Sequence, residues 1–192
     1  VANDDVASAP KAVKEQRHGI AGGFFMWKVG GARAAKGGSL DDVIASAQNV
    51  VNRTKSICVG LEPCVIPALG HSNFKIEDGT MEFGVGHHGE AGTKVEKLKS
   101  ASEMAQEMAE TILNDFDFEE GKEVAVMLSG LGATPVMELY VLYDEVEKVL
   151  AKAGHKVWKT YIGNYVTSLD MNGASLTIVD LDDEIKELLS EP

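Results

Sequence analysis

The sequence predicts a mixed α/β (α+β) fold, a mixed sheet packed with helices and preceded by a helical hairpin. Three observations predict it. Helical spacing of apolar residues runs through positions 19–56 with one glycine joint, and from Ile57 short apolar extended runs alternate with amphipathic helices. A hydrophobic content of 44% with 25% charged residues, over 192 positions, is enough to bury a sizeable core.

Val1-Ala2 runs into Asn3-Asp4-Asp5-Val6 without an initiator Met and reads as the end of a strand and its following loop, so the chain is expected to be a fragment or a processed piece. Gly19 to Lys36 is apolar or small nearly all round and is expected as a buried helix, with Phe24, Phe25 and Trp27 serving core or interface. Gly37-Gly38 end it, and Ser39 is placed to cap the next helix, Leu40 to Ser56, whose inward face is Val43, Ile44, Ala47, Val50 and Val51. Ile57 to Leu61 and Cys64 to Ile66 are extended, punctuated by Pro63 and Pro67. Met81 to Gly86 alternates as a strand and leads into His87-His88. Ser100 to Phe116 is an amphipathic helix, and Glu123 to Leu128 a short strand. After the loop Ser129 to Pro135, with Thr134 as cap, a helix runs to Ala153 and Gly154 closes it. Lys156 to Val166 and Ser175 to Leu181 are strands, and Asp182 caps a last helix, Asp183 to Leu189. No internal repeat or low-complexity tract is present. The composition changes near Ile57, which divides the chain at 1–57 and 58–192.

A net charge of −12 argues against sequence-independent nucleic-acid binding and against anionic membranes. No apolar run approaches the roughly 20 residues that span a bilayer. No secretory leader is expected, because acidic residues follow Val1. Cys58 and Cys64 have neither the spacing nor the partners of a zinc site. They are expected as two half-buried thiols of a reduced cytoplasmic protein, although one disulfide is possible in principle.

Five segments carry groups with chemistry to offer. In Gly86-His87-His88-Gly89-Glu90 a histidine follows a strand between glycines, where a backbone turns sharply and approaches a ligand. Such an imidazole serves as nucleophile, base or ligand, or is an ordinary loop side chain. Shared metal binding by the pair is disfavoured, since neighbours on a strand face opposite ways and no third ligand is spaced for it. Ser129 to Pro135 offers backbone N–H groups to an anion, or is a plain strand-to-helix turn; it is neither a Walker A loop nor a GxGxxG fingerprint. Tyr161 to Gly173 is a polar turn in which Asp170 orients a histidine or accepts a hydroxyl proton, or does neither. Asn3-Asp4-Asp5 is expected to be solvated, and Arg17-His18-Gly19 faces an anion or starts a helix.

Taken together these segments resemble a known family. Asn3-Asp4-Asp5-Val6-Ala7, Arg17-His18-Gly19-Ile20-Ala21-Gly22, Pro63-Cys64-Val65-Ile66-Pro67-Ala68, Met81 to Glu90, Gly130 to Pro135 with Glu138-Leu139-Tyr140, and Tyr161 to Tyr165 with Thr167 to Met171 match the substrate-binding subunit of dihydroxyacetone kinases in order and approximate spacing over essentially the whole chain. The resemblance implies the second half of that subunit: residues 1–57 as the remnant of a truncated first subdomain, and 58–192 as the α/β subdomain carrying the substrate histidine. It implies that His88 is the catalytic and substrate-binding residue, attacking the carbonyl of dihydroxyacetone or a similar short-chain ketose or aldose to form a covalent hemiaminal. Phosphate then comes from ATP, or from a phosphotransferase-linked subunit with bound ADP and Mg, on a separate domain or subunit. This chain itself is expected to hold no cofactor and no metal, and homodimers are implied.

Two departures stand out: His87 occupies a position the family usually fills with an aliphatic residue, and Ala91 one usually filled by proline. The family's glycine–histidine pair, lysine and proton-handling aspartate come from the first half, so the fragment alone is expected to be inactive. A non-catalytic coactivator paralogue that binds dihydroxyacetone is the alternative the family offers.

Overall fold

The computed structural model describes residues 1–72, 74–117 and 121–192. The hairpin forms α1 (Gly22–Ala35) and α2 (Leu40–Asn52). Ser39 Oγ accepts from the Asp42 N–H while the Asp42 carboxylate accepts from the Ser39 N–H, so two end donors are satisfied reciprocally. The helix stops at Asn52, not at Ser56, and this frees Thr54–Gly60 to form β1, buried along its whole length. Helices cover both faces of this strand, which is why its sequence does not alternate.

The expected faces of the hairpin need correction. Phe25 and Val29 are buried, but Trp27 is 73% exposed, so α1 is one-sided despite its composition. Ile44 is exposed while Ser46, Val50 and Val51 are buried. Contacts at two places turn α2 this way. Gly30 leaves room for Ala47 and Val43, and Ser46 Oγ donates to Glu184 Oε1 at 2.6 Å.

The remaining strands are β2 (Val65–Ile66), β3 (His71–Ser72), β4 (Thr80–Phe83), β5 (Lys94–Lys97), β6 (Glu123–Gly130), β7 (Lys156–Gly163) and β8 (Gly173–Asp180). Six of them form one sheet in the order β5-β4-β1-β8-β6-β7, and β2 and β3 pair separately. β6 and β7 run parallel, joined by α4 (Val136–Lys152), and the other pairs are antiparallel. The predicted mixed sheet is therefore present. The sequence patterns did not announce β3 or β5, because both are too short and too polar to show a period.

Helices lie on both faces. α3 (Ala101–Asp115) and α4 cover one, where Ile57, Val59, Met108, Ile112, Leu139 and Leu176 meet. α1 and α5 (Asp183–Ser190) cover the other over Phe25, Cys58, Met127, Val179 and Leu189. An edge-to-face cluster of Phe24, Phe25, Tyr161 and Tyr165, with centroids 5.2–5.6 Å from Phe24 or between Phe25 and Tyr161, ties α1 to the end of β7. The boundary expected at residues 57 and 58 falls inside β1, and the hairpin packs on the sheet's own face. Among the described residues no helix is long and apolar enough to cross a membrane.

Asn3-Asp4-Asp5 was expected in solvent, yet Asp4 and Asp5 are both buried. The segment lies beside β1, with Val6 N–H donating to Ser56 C=O and Ser56 N–H to Asp4 C=O. The Asp4 carboxylate accepts from the N–H groups of Ile20 and Gly22 and from Ser56 Oγ, which also meets Thr177 Oγ1 at 2.7 Å. Its charge faces the start of α1, where donors are unpaired and the helix dipole is positive. Arg17 faces no free anion: its guanidinium grips both oxygens of Asp115, each at 2.7 Å. Cys58 and Cys64 are both buried outright, beyond the half-burial expected. Burial pushes the Cys58 thiol well up, and Asp5, Asp4 and Glu90 add to it.

Candidate functional site

The histidines sit at the tip of the connection from β4 to β5. The strand ends earlier than expected, at Phe83, because Gly84 takes a φ of 75° and breaks the ladder. Gly89 N–H then donates to Gly86 C=O at 3.0 Å, and Gly86 N–H to Glu90 C=O at 2.9 Å. This closes a tight turn whose tip is His87-His88. Gly86 is favoured by proximity, since a Cβ there would lie 2.8 Å from Glu90 Cβ.

Being in a turn, the two imidazoles do not face opposite ways as strand neighbours would. Their centroids are 3.9 Å apart with planes tilted by 41°. Among the described residues no group of three metal-ligating side chains assembles around them.

His88 projects into solvent with 72% of its side chain exposed. Glu90 holds it from two sides, accepting from His88 N–H at 3.0 Å and lying 3.1 Å from Nδ1. Burial acts to raise the Glu90 carboxyl, but hydrogen bonds from its own backbone N–H and from His88 outweigh it and keep the carboxyl below its usual range. Nδ1 is thus the ring nitrogen placed to donate to the Glu90 carboxylate, and Nε2 is the one left free of it. His87 is half-buried, and burial, then the neighbouring His88, lower its pKa, so it stands beside His88 as a neutral ring at pH 7.

Clefts open on both sides of the turn. One, of about 440 Å³, is walled by His87, His88, Cys64, Ile66 and Thr167 to Leu169. The other, of about 320 Å³, is walled by His87, His88, Gly86 and Glu90 with Asp5, His18 and Val1-Ala2. Either volume suits a small ligand. Asp5 in the second is raised to about 6, chiefly by burial, with Asp4 adding to it against the hydrogen bond from Ala7 N–H. A third cavity, apolar and of about 250 Å³, lies between α3 and α4 and does not include the histidines.

The structure joins the first and third segments singled out from the sequence, since Thr167-Ser168 borders the histidine cleft. Among the described residues Asp170 bonds no histidine; its Oδ1 accepts from the Val65 N–H at 2.7 Å and anchors β2. The glycine loop is tied into the fold through two of its donors. Leu131 N–H goes to Gly173 C=O and Ala133 N–H to Met171 C=O, so these donors are used. Ser129 Oγ accepts from the N–H groups of Tyr165 and Val166, each at 3.0 Å, and Ser168 N–H donates to Leu131 C=O. Thr134 does not cap α4 as expected. Its Oγ1 donates to Gly173 C=O at 2.6 Å and accepts from Gly173 N–H at 2.8 Å, while Pro135 occupies the cap position. Sequence reasoning missed Asp5, His18 and Cys64 as neighbours of the histidines, because only the folded topology brings them there.

The model of the Dak1 domain family matches residues 1–192. The chain belongs to the Dak1 domain family. It is 39% identical over 184 residues to the dihydroxyacetone-binding subunit of a phosphotransferase-dependent dihydroxyacetone kinase of Listeria innocua, covering 96% of this chain and 56% of that protein. The chain thus spans about half the length of the curated relatives it matches. A dihydroxyacetone kinase operon co-activator superposes with a TM-score of 0.92 at 29% identity, covering 100% of this chain and 60% of its own. The dihydroxyacetone kinase of C. freundii gives 0.88 at 28%, covering 100% and 34%.

Proposed function

We propose that this Dak1 domain is the substrate-binding part of a dihydroxyacetone kinase and holds a short-chain ketose as a covalent hemiaminal on His88. The observation that carries the reading is the exposed His88 ring, oriented through Nδ1 by Glu90 at the mouth of two small clefts. Nε2 attacks the carbonyl carbon, forming the C–N bond as the C=O π pair moves to oxygen. The Nδ1 proton passes to Glu90 and from there through a water molecule to the alkoxide, so the adduct and its ring end neutral and Glu90 is again a carboxylate. A polyol has no carbonyl to attack, so the bond selects ketoses and aldoses over glycerol more sharply than shape can for so small a molecule. It also fixes the hydroxyl that receives phosphate. The phosphoryl group comes from ATP on a partner domain or subunit, or from a phosphotransferase system through a partner subunit that carries bound ADP with Mg.

Incubation of the intact polypeptide carrying this chain with dihydroxyacetone, followed by peptide mass spectrometry, tests this. The expected result is added mass on the peptide containing His88 and its loss in His88→Ala. An adduct that survives His88→Ala sinks the assignment.

The likeness to the co-activator favours a second reading, a dihydroxyacetone-binding regulator without phosphoryl transfer. It keeps the adduct and is separated by assaying ketose phosphorylation with the partner subunit. Turnover excludes it.

A further inference from the structure

A polar cleft of about 350 Å³ opens at the N-terminal end of β1 on the α3 side of the sheet. It carries four cationic side chains, in a chain whose net charge is −12. Two are already matched by carboxylates of the same cleft: Lys11 with Asp117 at 2.8 Å, and Arg53 with Asp180 at 2.5 Å. The third carboxylate, Asp115, is taken by Arg17 from behind. Lys14 and Lys55 remain, with no carboxylate partner among the described residues.

Lys55 is the unusual one. It shares the inward face of β1 with Ile57 and Val59, and only 8% of it is exposed. An ammonium has three donors. The only hydrogen bond from Lys55 Nζ among the described residues goes to the Thr54 carbonyl at a long 3.3 Å, and the Phe116 ring lies 5.8 Å away. A buried cation so poorly matched is unfavourable unless something in the cleft completes it. Burial lowers its pKa, and Arg17 and Lys14 add to that against the pull of Asp115. Asn52, on the same wall, accepts through Oδ1 from Gln48 Nε2, which directs its NH₂ donors elsewhere.

We propose that Lys55, with Lys14 and Asn52, binds a small phosphate dianion in this cleft, either inorganic phosphate or the phosphate group of a monoester. The donors are all N–H, they sit where the carboxylates are already paired, and an anion supplies both the acceptors and the counter-charge that Lys55 lacks among the described residues.

Calorimetric titration of the intact polypeptide with inorganic phosphate, and separately with glycerol phosphate, tests the proposal, with lysine ¹⁵N resonances reporting the site. Saturable binding is expected. Lys55→Met, which keeps the apolar stem, should weaken it by at least about tenfold, and Lys55→Arg should retain it. Equal affinity for both probes supports a site for the phosphate group alone, and tighter binding of the ester supports a monoester site. No saturation with either probe overturns the proposal, as does Lys55→Met binding like the parent. Should Lys55→Met fail to fold, the surface pair Lys14→Ala with Asn52→Leu replaces it, and unchanged binding there overturns the proposal equally.

Discussion

Replacing Asp5 with Asn should stabilise the protein, and only above acid pH. The carboxyl is buried beside β1 and raised from 3.8 to about 6, chiefly by burial. The folded state therefore holds its proton more tightly than the unfolded chain does, and stability falls as pH climbs from the unfolded value through the folded one. Below 3.8 both states are protonated and Asp5 carries no penalty; above about 6 the penalty is complete. That gap corresponds to about 3 kcal/mol at most, at roughly 1.4 kcal/mol per tenfold in proton affinity. Asn cannot ionise, and its amide oxygen still accepts from the Ala7 N–H that Asp5 Oδ1 meets at 3.0 Å. Urea unfolding of parent and variant across a pH series reads the difference directly. Asp5→Asn should match the parent at the acid end and exceed it by about 2–3 kcal/mol above neutrality. A difference that is constant with pH, or a variant less stable at pH above neutral, would refute the account of a buried, reluctantly charged carboxylate.

Three further outcomes follow from the same contacts. Asp4→Ala leaves the N–H groups of Ile20 and Gly22 and the Ser56 hydroxyl without their acceptor, and should lower unfolding free energy by about 3 kcal/mol or more in denaturant melts. Glu90→Gln removes the anion that fixes the His88 tautomer while leaving the turn's backbone hydrogen bonds, so adduct formation with dihydroxyacetone should slow by about tenfold or more at unchanged melting temperature. Gly132→Ala places a Cβ 2.2 Å from the Leu169 carbonyl at a φ of 121°, and should destabilise by over about 2 kcal/mol, seen as a lower denaturant midpoint.

Much of the architecture was legible because long amphipathic helices and their caps leave local signatures. Ser39 with Asp42 and Ser100 with Glu103 form reciprocal caps, and Asp182 caps α5. What escaped depended on partners distant in sequence. Asp4 and Asp5 read as solvated acids because nothing local shows that Ser56 and the start of α1 close over them. Thr134 sits one residue before Pro135 and looks like a cap, yet Gly173 claims its hydroxyl. The rotation of α2 that exposes Ile44 follows from α5, more than 130 residues away in sequence, as the Ser46–Glu184 bond shows. Of the candidate site, the glycine-flanked histidine was visible in its own motif. The turn that sets the two rings side by side was not, because a period-two pattern runs on through Gly84 where the strand has already ended.

The placement of β8 has a consequence for how the chain comes into being. β8 lies between β1 and β6 and pairs Thr54 with Val179 and Val124 with Asp180. During synthesis β1 and β6 emerge long before the strand that joins them. Until it arrives, each presents a bare apolar edge that invites pairing with another nascent chain. Closure of so distant a contact makes the middle of the sheet the slow, late step of folding. A chain ending after β7 would hold two half-sheets, β5-β4-β1 and β6-β7, with no strand to join them.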